Sequence, residues 1–167
     1  MRPLARLATV LVATLAANGF VRAVEPSQST TVIGPTNIQL SEGATALDAG
    51  RIEEGIQLTL DGLKVPTAQH EKAAGYSNLC AGYALLKKWD EALQYCNTAV
   101  ELDPANWRAF NNRAAVFAGK QQFDLAVNDI RAGLEIAPNS RTLLESLRIV
   151  QQNKRLMGSR SRTSVRP

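Results

Sequence analysis

Pro104 and Pro138 stand 34 residues apart, and superposing the chain on them brings the segments before each proline into register. With Ala73 counted as position 1, Tyr76, Leu79, Cys80 and Tyr83 fall at positions 4, 7, 8 and 11, and Ala92, Cys96, Ala99 and Pro104 at positions 20, 24, 27 and 32. With Trp107 as position 1, the same places hold Phe110, Arg113, Ala114 and Phe117, then Ala126, Ile130, Gly133 and Pro138. A fixed period of this length marks a repeated supersecondary unit, which buries its apolar face by stacking on its neighbours. That constraint excludes most single-core folds.

Each unit reads as two antiparallel helices. Apolar residues at positions 4, 7 and 11 share one helical face. The segments KKWDEA and KQQFDLA interrupt the pattern, with bases closing the first helix and acids opening the second, as the helix dipoles favour. Trp89 or Phe123, at position 17, plugs the turn. The second helix stops before the proline, which disfavours helical geometry in the residue it follows. In such a hairpin position 8 lies opposite 24, and 11 opposite 20 to 21, so small side chains at 8, 20 and 27 allow close backbone approach.

The ends have a different composition. Residues 1–23 combine a basic start, MRPLAR, an apolar run, LATVLVATLAA, and small residues before Ala23, the pattern of a cleaved secretory signal. An eleven-residue run is short for a membrane span. Cleavage is expected between Gly19 and Ala23, and with no cysteine nearby a lipoprotein signal is not expected. Residues 24–37 read as a flexible leader and 157–167 as a basic disordered tail. The net charge of +4 comes from these ends: residues 36–147 carry ten Lys and Arg against fourteen Asp and Glu, a net of −4. Nucleic-acid binding would need a basic stripe on the fold itself, so no nucleic acid is expected as partner.

The register resembles the tetratricopeptide repeat family over residues 73–140, with Arg113 in place of Leu at position 7, and Cys96 and Ile130 in place of an aromatic at position 24. A weaker unit precedes: GRIEEGIQLTLDG aligns with KKWDEALQYCNTA and puts Ile52, Gly55 and Gly62 at positions 17, 20 and 27. The resemblance implies an all-α fold, an α-solenoid of antiparallel helix pairs. Its repeats span about 36–69, 73–106 and 107–140, and a capping helix over 141–156 turns Leu144, Leu147 and Val150 toward the stack. The domain as a whole spans 38–156, and the linker KVPTAQHEK adds about three residues between the first two units.

No catalytic set, cofactor motif or metal cluster is legible. His70, the single histidine, falls in the linker, and one histidine with two separated cysteines is a poor zinc site. Cys80 and Cys96 face each other across their hairpin and are a candidate disulfide; the other reading is a pair of small buried hydrophobes. In the family resembled, positions 2, 5, 6, 9 and 12 to 13 of the first helices line a concave groove. Carried over, this implies Ser77, Asn78, Ala81, Arg108, Asn111, Asn112 and Ala115 as the partner-binding residues. Members that clamp a terminal carboxylate use Asn at position 6 of one repeat and a base at position 2 of the next, matched by Asn78 and Arg108. The remaining clamp positions hold Leu40, Ala44 and Asn112 and depart from that pattern.

The function expected is a non-enzymatic, exported adaptor or scaffold, periplasmic or secreted, that holds an extended peptide or partner helix in its groove. No membrane span is expected after signal cleavage. The rival is a repeat module that self-associates through its end faces and leaves the groove unused.

Overall fold

The computed structural model describes residues 37–163, with side chains described through residue 158. The expected signal, the expected leader up to residue 36 and the last four residues lie outside the described residues. Seven helices follow in order: α1 (Ile38–Asp48), α2 (Ile52–Leu63), α3 (Gln69–Leu85), α4 (Trp89–Leu102), α5 (Trp107–Gly119), α6 (Phe123–Ile136) and α7 (Arg141–Thr163). No strand occurs among the described residues, and the helices pair as α1–α2, α3–α4 and α5–α6, with α7 packed on the last pair. This is an α-solenoid.

The hairpins obey the sequence register. Ile52, Trp89 and Phe123 are the first residues of the second helices, and α4 and α6 end two residues before Pro104 and Pro138. Each hairpin turn has its position-15 residue in the left-handed region, with φ of 76° at Gly50, 57° at Lys87 and 60° at Gln121. That bend lets the next N–H reach back five residues, from Arg51 to Ala46 O, Lys88 to Tyr83 O and Gln122 to Phe117 O, at 2.8–2.9 Å. These bonds satisfy carbonyls left open at the end of each first helix.

The core is built hairpin by hairpin, and the helix that follows completes it. Leu47 and Ile56 are joined by Leu79 of α3; Cys80, Ala92 and Cys96 by Val116 of α5; Ala114, Ala126 and Ile130 by Leu143 and Val150 of α7. Without α7 the third core would stand open. Burying an aliphatic side chain of this size contributes about 1.5–3 kcal/mol, so the last helix stabilises the stack it covers. Small residues set the spacing as expected: Ala92, Ala99 and Ala126 have no exposed surface. A Cβ on Gly62 would come within 2.8 Å of Leu40 Cδ2, and one on Gly43 within 2.4 Å of Thr59 Oγ1.

Several expectations need correction. The linker is shorter than its composition suggests, because α3 begins at Gln69 and takes His70 and Glu71 into its first turn. Glu71 faces the right end of the helix dipole, and its carboxylate accepts the Ala68 N–H at 3.3 Å, which explains the early start. Asn37, expected to close the leader, is the buried N-cap of α1; it accepts from Leu40 N and donates to Gly62 O and Thr67 Oγ1. In α7 the stack-facing side carries Leu143, Ser146, Val150 and Asn153, with Leu147 packed against the same core; of the three residues expected there, Leu144 alone departs and is half exposed. One residue step rotates a helical side chain by about 100°, so Leu143 takes the place expected of Leu144 while Leu147 and Val150 keep theirs. The helix also continues to Thr163, past the expected boundary at residue 156.

Candidate functional site

Curvature decides where a site can form. In the odd-numbered layer α1 touches α3, α3 touches α5 and α5 touches α7, whereas α2, α4 and α6 do not touch one another. The layer whose members are closest lies on the inside of the bend. The concave face is therefore built from α1, α3, α5 and α7, the first helix of each unit and the terminal helix.

Of the seven residues expected to line that face, Ala81, Arg108 and Ala115 are partly exposed. Ser77, Asn78, Asn111 and Asn112 are not; each is 4% exposed or less. For Ser77, Asn78 and Asn112 the expectation that they offer their polar atoms to a guest is corrected, and the reason is packing between repeats. Asn78 Nδ2 donates to Leu40 O at 3.3 Å, and one period later Asn112 Nδ2 donates to Ser77 O at 3.3 Å and to Ser77 Oγ at 3.0 Å. Position 6 of each unit thus bonds the backbone at position 5 of the unit before. A buried amide is retained when it is hydrogen-bonded, and here the bond also fixes the offset between repeats. The sequence carried a signal for this role: Asn78 and Asn112 recur one period apart.

What remains open on the face is a strip of small and apolar side chains, Ala81, Ala84 and Leu85 on α3 and Ala115 and Ala118 on α5, beside Arg108. The Arg108 guanidinium lies 4.4 Å from the Trp107 ring centroid, and its Nε is buried without a hydrogen-bond partner. A buried donor of this kind favours an acceptor, and a carboxylate or a peptide carbonyl would supply one.

Behind the strip, two devices hold the helices. Cys80 and Cys96 are joined as a disulfide between α3 and α4, with Cα atoms 5.0 Å apart. Arg113, the departure at position 7, makes two hydrogen bonds to Asp129, Nε to Oδ2 at 2.7 Å and Nη2 to Oδ1 at 2.8 Å, and a third from Nη1 to Asn97 Oδ1 at 3.1 Å. Its hydrogen bond to Asp129 pushes the Arg113 pKa further up, against the opposing effect of burial. Burial, with Tyr83 second, likewise raises the phenol of Tyr95, which stacks between Tyr76 and Tyr83. A further pair recurs between units, Lys120 with Asp90 and Lys154 with Asp124. Among the described residues no three His, Cys, Asp or Glu side chains converge on a point where a metal could bind, and no helix is long and apolar enough to cross a membrane.

Known proteins agree with this geometry. The profile of the tetratricopeptide repeat matches residues 73–106. Residues 73–106 carry a tetratricopeptide repeat. Sperm-associated antigen 1 of Mus musculus is 29% identical over 118 residues, which are 70% of this chain and 12% of that protein. Hsp70-Hsp90 organizing protein of Triticum aestivum is 30% identical over 92 residues, 54% of this chain and 16% of that protein. The chain thus spans only a small part of the length of these relatives. Among solved structures, the first such domain of Spaghetti (RPAP3), bound to the HSP90 peptide SRMEEVD, superposes with a TM-score of 0.61 at 25% identity, covering 69% of this chain and 91% of that one. The relatives correct the expected location: similarity to Hsp70-Hsp90 organizing protein and RPAP3 points to the cytoplasm rather than to the periplasm or secretion.

Proposed function

We propose that this protein is an interaction adaptor that holds an extended peptide or partner helix along the concave layer of α1, α3, α5 and α7, and that it acts by binding and not by catalysis. The observation that carries this reading is the open strip from Ala81 to Ala115, bounded by Arg108 with its buried, unbonded Nε. The similarity to a repeat domain bound to a peptide supports it. Small side chains let a guest backbone come close, and a guanidinium at the edge gives the guest a direction by pairing with a carboxylate.

Affinity capture from a cytoplasmic extract tests it, with the intact chain compared against Arg108→Glu. Partners retained by the first and lost from the second support the groove. A chain that forms concentration-dependent oligomers in sedimentation, indifferent to Arg108→Glu, supports the self-associating module instead.

A further inference from the structure

Helix α7 fills the place that the first helix of a fourth unit would take. With Arg141 counted as position 1, Lys154 pairs with Asp124 as Lys120 pairs with Asp90 one period earlier. Val150 joins the third core from position 10, as Val116 joins the second. In the earlier units positions 4, 8 and 11 of the first helix pack on the second helix of the same unit. Tyr76 and Tyr83 stack on Tyr95, and Cys80 is bonded to Cys96. One period later Ala114 and Phe117 lie in one cluster with Ala126 and Ile130. Among the described residues α7 has no such helix beside it. The earlier units turn at position 15, whereas α7 runs straight through that position, Arg155, to Thr163. It continues past Asn153, the counterpart of Gly119 where α5 ends, by roughly 15 Å at the helical rise.

The face left open is basic where the earlier units are apolar. Positions 1, 8 and 15 hold Arg141, Arg148 and Arg155, all exposed, and the same spacing reaches Arg162 in the sequence. Seven residues make nearly two turns, so these bases form one line along the helix, about 10 Å apart. Leu144, 49% exposed, and Gln151 lie between them. Glu145, the single acid of α7, pairs with Arg148, but both side chains are more than half in water, so that bond contributes little and Arg148 can exchange it. Arg141 and Arg155 have no ionic partner among the described residues. Arg141 also stands in a first turn without an acid, at the end of the helix dipole that disfavours a cation. Polar side chains of either sign would be enough to keep the end of the stack in water. A line of like charges repels itself, and a complementary surface relieves it.

We propose that this face of α7 is a docking site for a helix of another protein, acidic along one side, which lies where the second helix of a fourth unit would lie. Heptad spacing is what two helices running side by side share. Carboxylates repeating every seven residues therefore meet Arg141, Arg148 and Arg155 together, each in a charge-assisted pair. An apolar side chain of the guest covers Leu144. A membrane surface fits less well, because the apolar side of α7, with Leu143, Leu147 and Val150, is turned into the stack and is not free to insert. A nucleic-acid duplex fits less well, because its phosphates would face Leu144 and Glu145 along the same strip. The site is separate from the concave strip and stands whether or not the groove is used.

Fluorescence anisotropy with the full chain tests this. The probe is a labelled, end-capped, alanine-rich helical peptide of about 23 residues with glutamate at every seventh position. Its control is an isomer of the same composition with the glutamates scattered round the helix. At low salt the heptad peptide is expected to bind about tenfold more tightly than the isomer, and to lose about tenfold in affinity on Arg141→Gln/Arg155→Gln. Rising salt should shrink both the affinity and the difference. Amide NMR shifts should move at Leu144, Arg148, Gln151 and Arg155 and stay in place at Ala81 and Ala115. Both substituted residues are exposed, and circular dichroism checks that the variant keeps its helices; the comparison of the two peptides on the unaltered chain needs no variant. No binding of the heptad peptide at low salt, or equal affinity for the isomer, overturns the proposal and leaves α7 a solvated lid. Tighter binding to phosphatidylserine vesicles or to a DNA duplex overturns it in favour of those surfaces. Shifts confined to the concave strip overturn it as well and support the groove instead.

Discussion

The hairpin α3–α4 places Leu79 at position 7, fully buried, and joins positions 8 and 24 through the Cys80–Cys96 disulfide. One period later the hairpin α5–α6 puts Arg113 at position 7, bonded twice to Asp129, and Ala114 and Ile130 at positions 8 and 24 within one apolar cluster. The two backbones follow one register, with the same turn and the same small residue at position 20. The first hairpin offers a third solution, Gly43 beneath Thr59, whose hydroxyl donates to Gly55 O at 2.7 Å. The fold therefore demands a volume at the crossing and leaves the chemistry free: a covalent bond, an alanine against an isoleucine, or a glycine beneath a threonine each meets it.

The comparison breaks most visibly at Asp129. Asp129→Ala leaves Arg113 largely enclosed without its carboxylate, and a loss of about 3 kcal/mol is expected in urea denaturation. Adding Arg113→Leu, which restores the residue type of Leu79, should recover most of that loss, since a buried ion pair and an apolar replacement of similar size are often close in stability. If the double variant is as unstable as the single, Arg113 contributes through its stacking on Phe110 and Phe117 and not through the pair.

Cutting the disulfide comes next. It closes a loop of sixteen residues by sequence separation, and opening it should cost about 3 kcal/mol by the chain-entropy account. The readout is the denaturant midpoint of the native chain with and without reductant, beside Cys80→Ala/Cys96→Ala, in which reductant should change nothing. Intact mass gives the occupancy directly, as a gain of two hydrogens per chain on reduction. Because cytoplasmic thiols are kept reduced, the mass should be read on protein prepared with and without reductant.

Overpacking sharpens the shared part of the register. Ala92→Leu and Ala126→Leu should each destabilise by about 1–3 kcal/mol in thermal melts, and by similar amounts, because position 20 is fully buried in both hairpins. A tolerated leucine at either would show that the crossing distance is not set there. The turns give the smallest effect. Gly50→Ala should cost about 1 kcal/mol and Lys87→Gly should gain up to that amount, since left-handed backbone favours glycine.

Much of this was legible from spacing alone. The prolines and position-17 residues located the helix ends, and the alternation of large and small residues gave the hairpins, because both follow from local geometry that repeats. What spacing could not give was the direction of polar side chains. Asn78 and Asn112 look solvent-facing by register, yet each bonds the preceding unit, a contact across 35 or more residues that depends on how far successive hairpins rotate. Arg113 looked like a departure from pattern because its partner, Asp129, lies sixteen residues on, across the hairpin on α6. The α3 start was obscured by Pro66 and by a linker of mixed composition, and the helix-favouring Glu71 carried the one hint of it.

One measurement bears on the central claim directly: backbone amide NMR shifts of the labelled chain on adding a peptide from a partner retained in the affinity capture. The account predicts perturbations running along Ala81, Ala84, Arg108 and Ala115 on α3 and α5. Perturbations confined to α2, α4 and α6, on the outer layer, would contradict it.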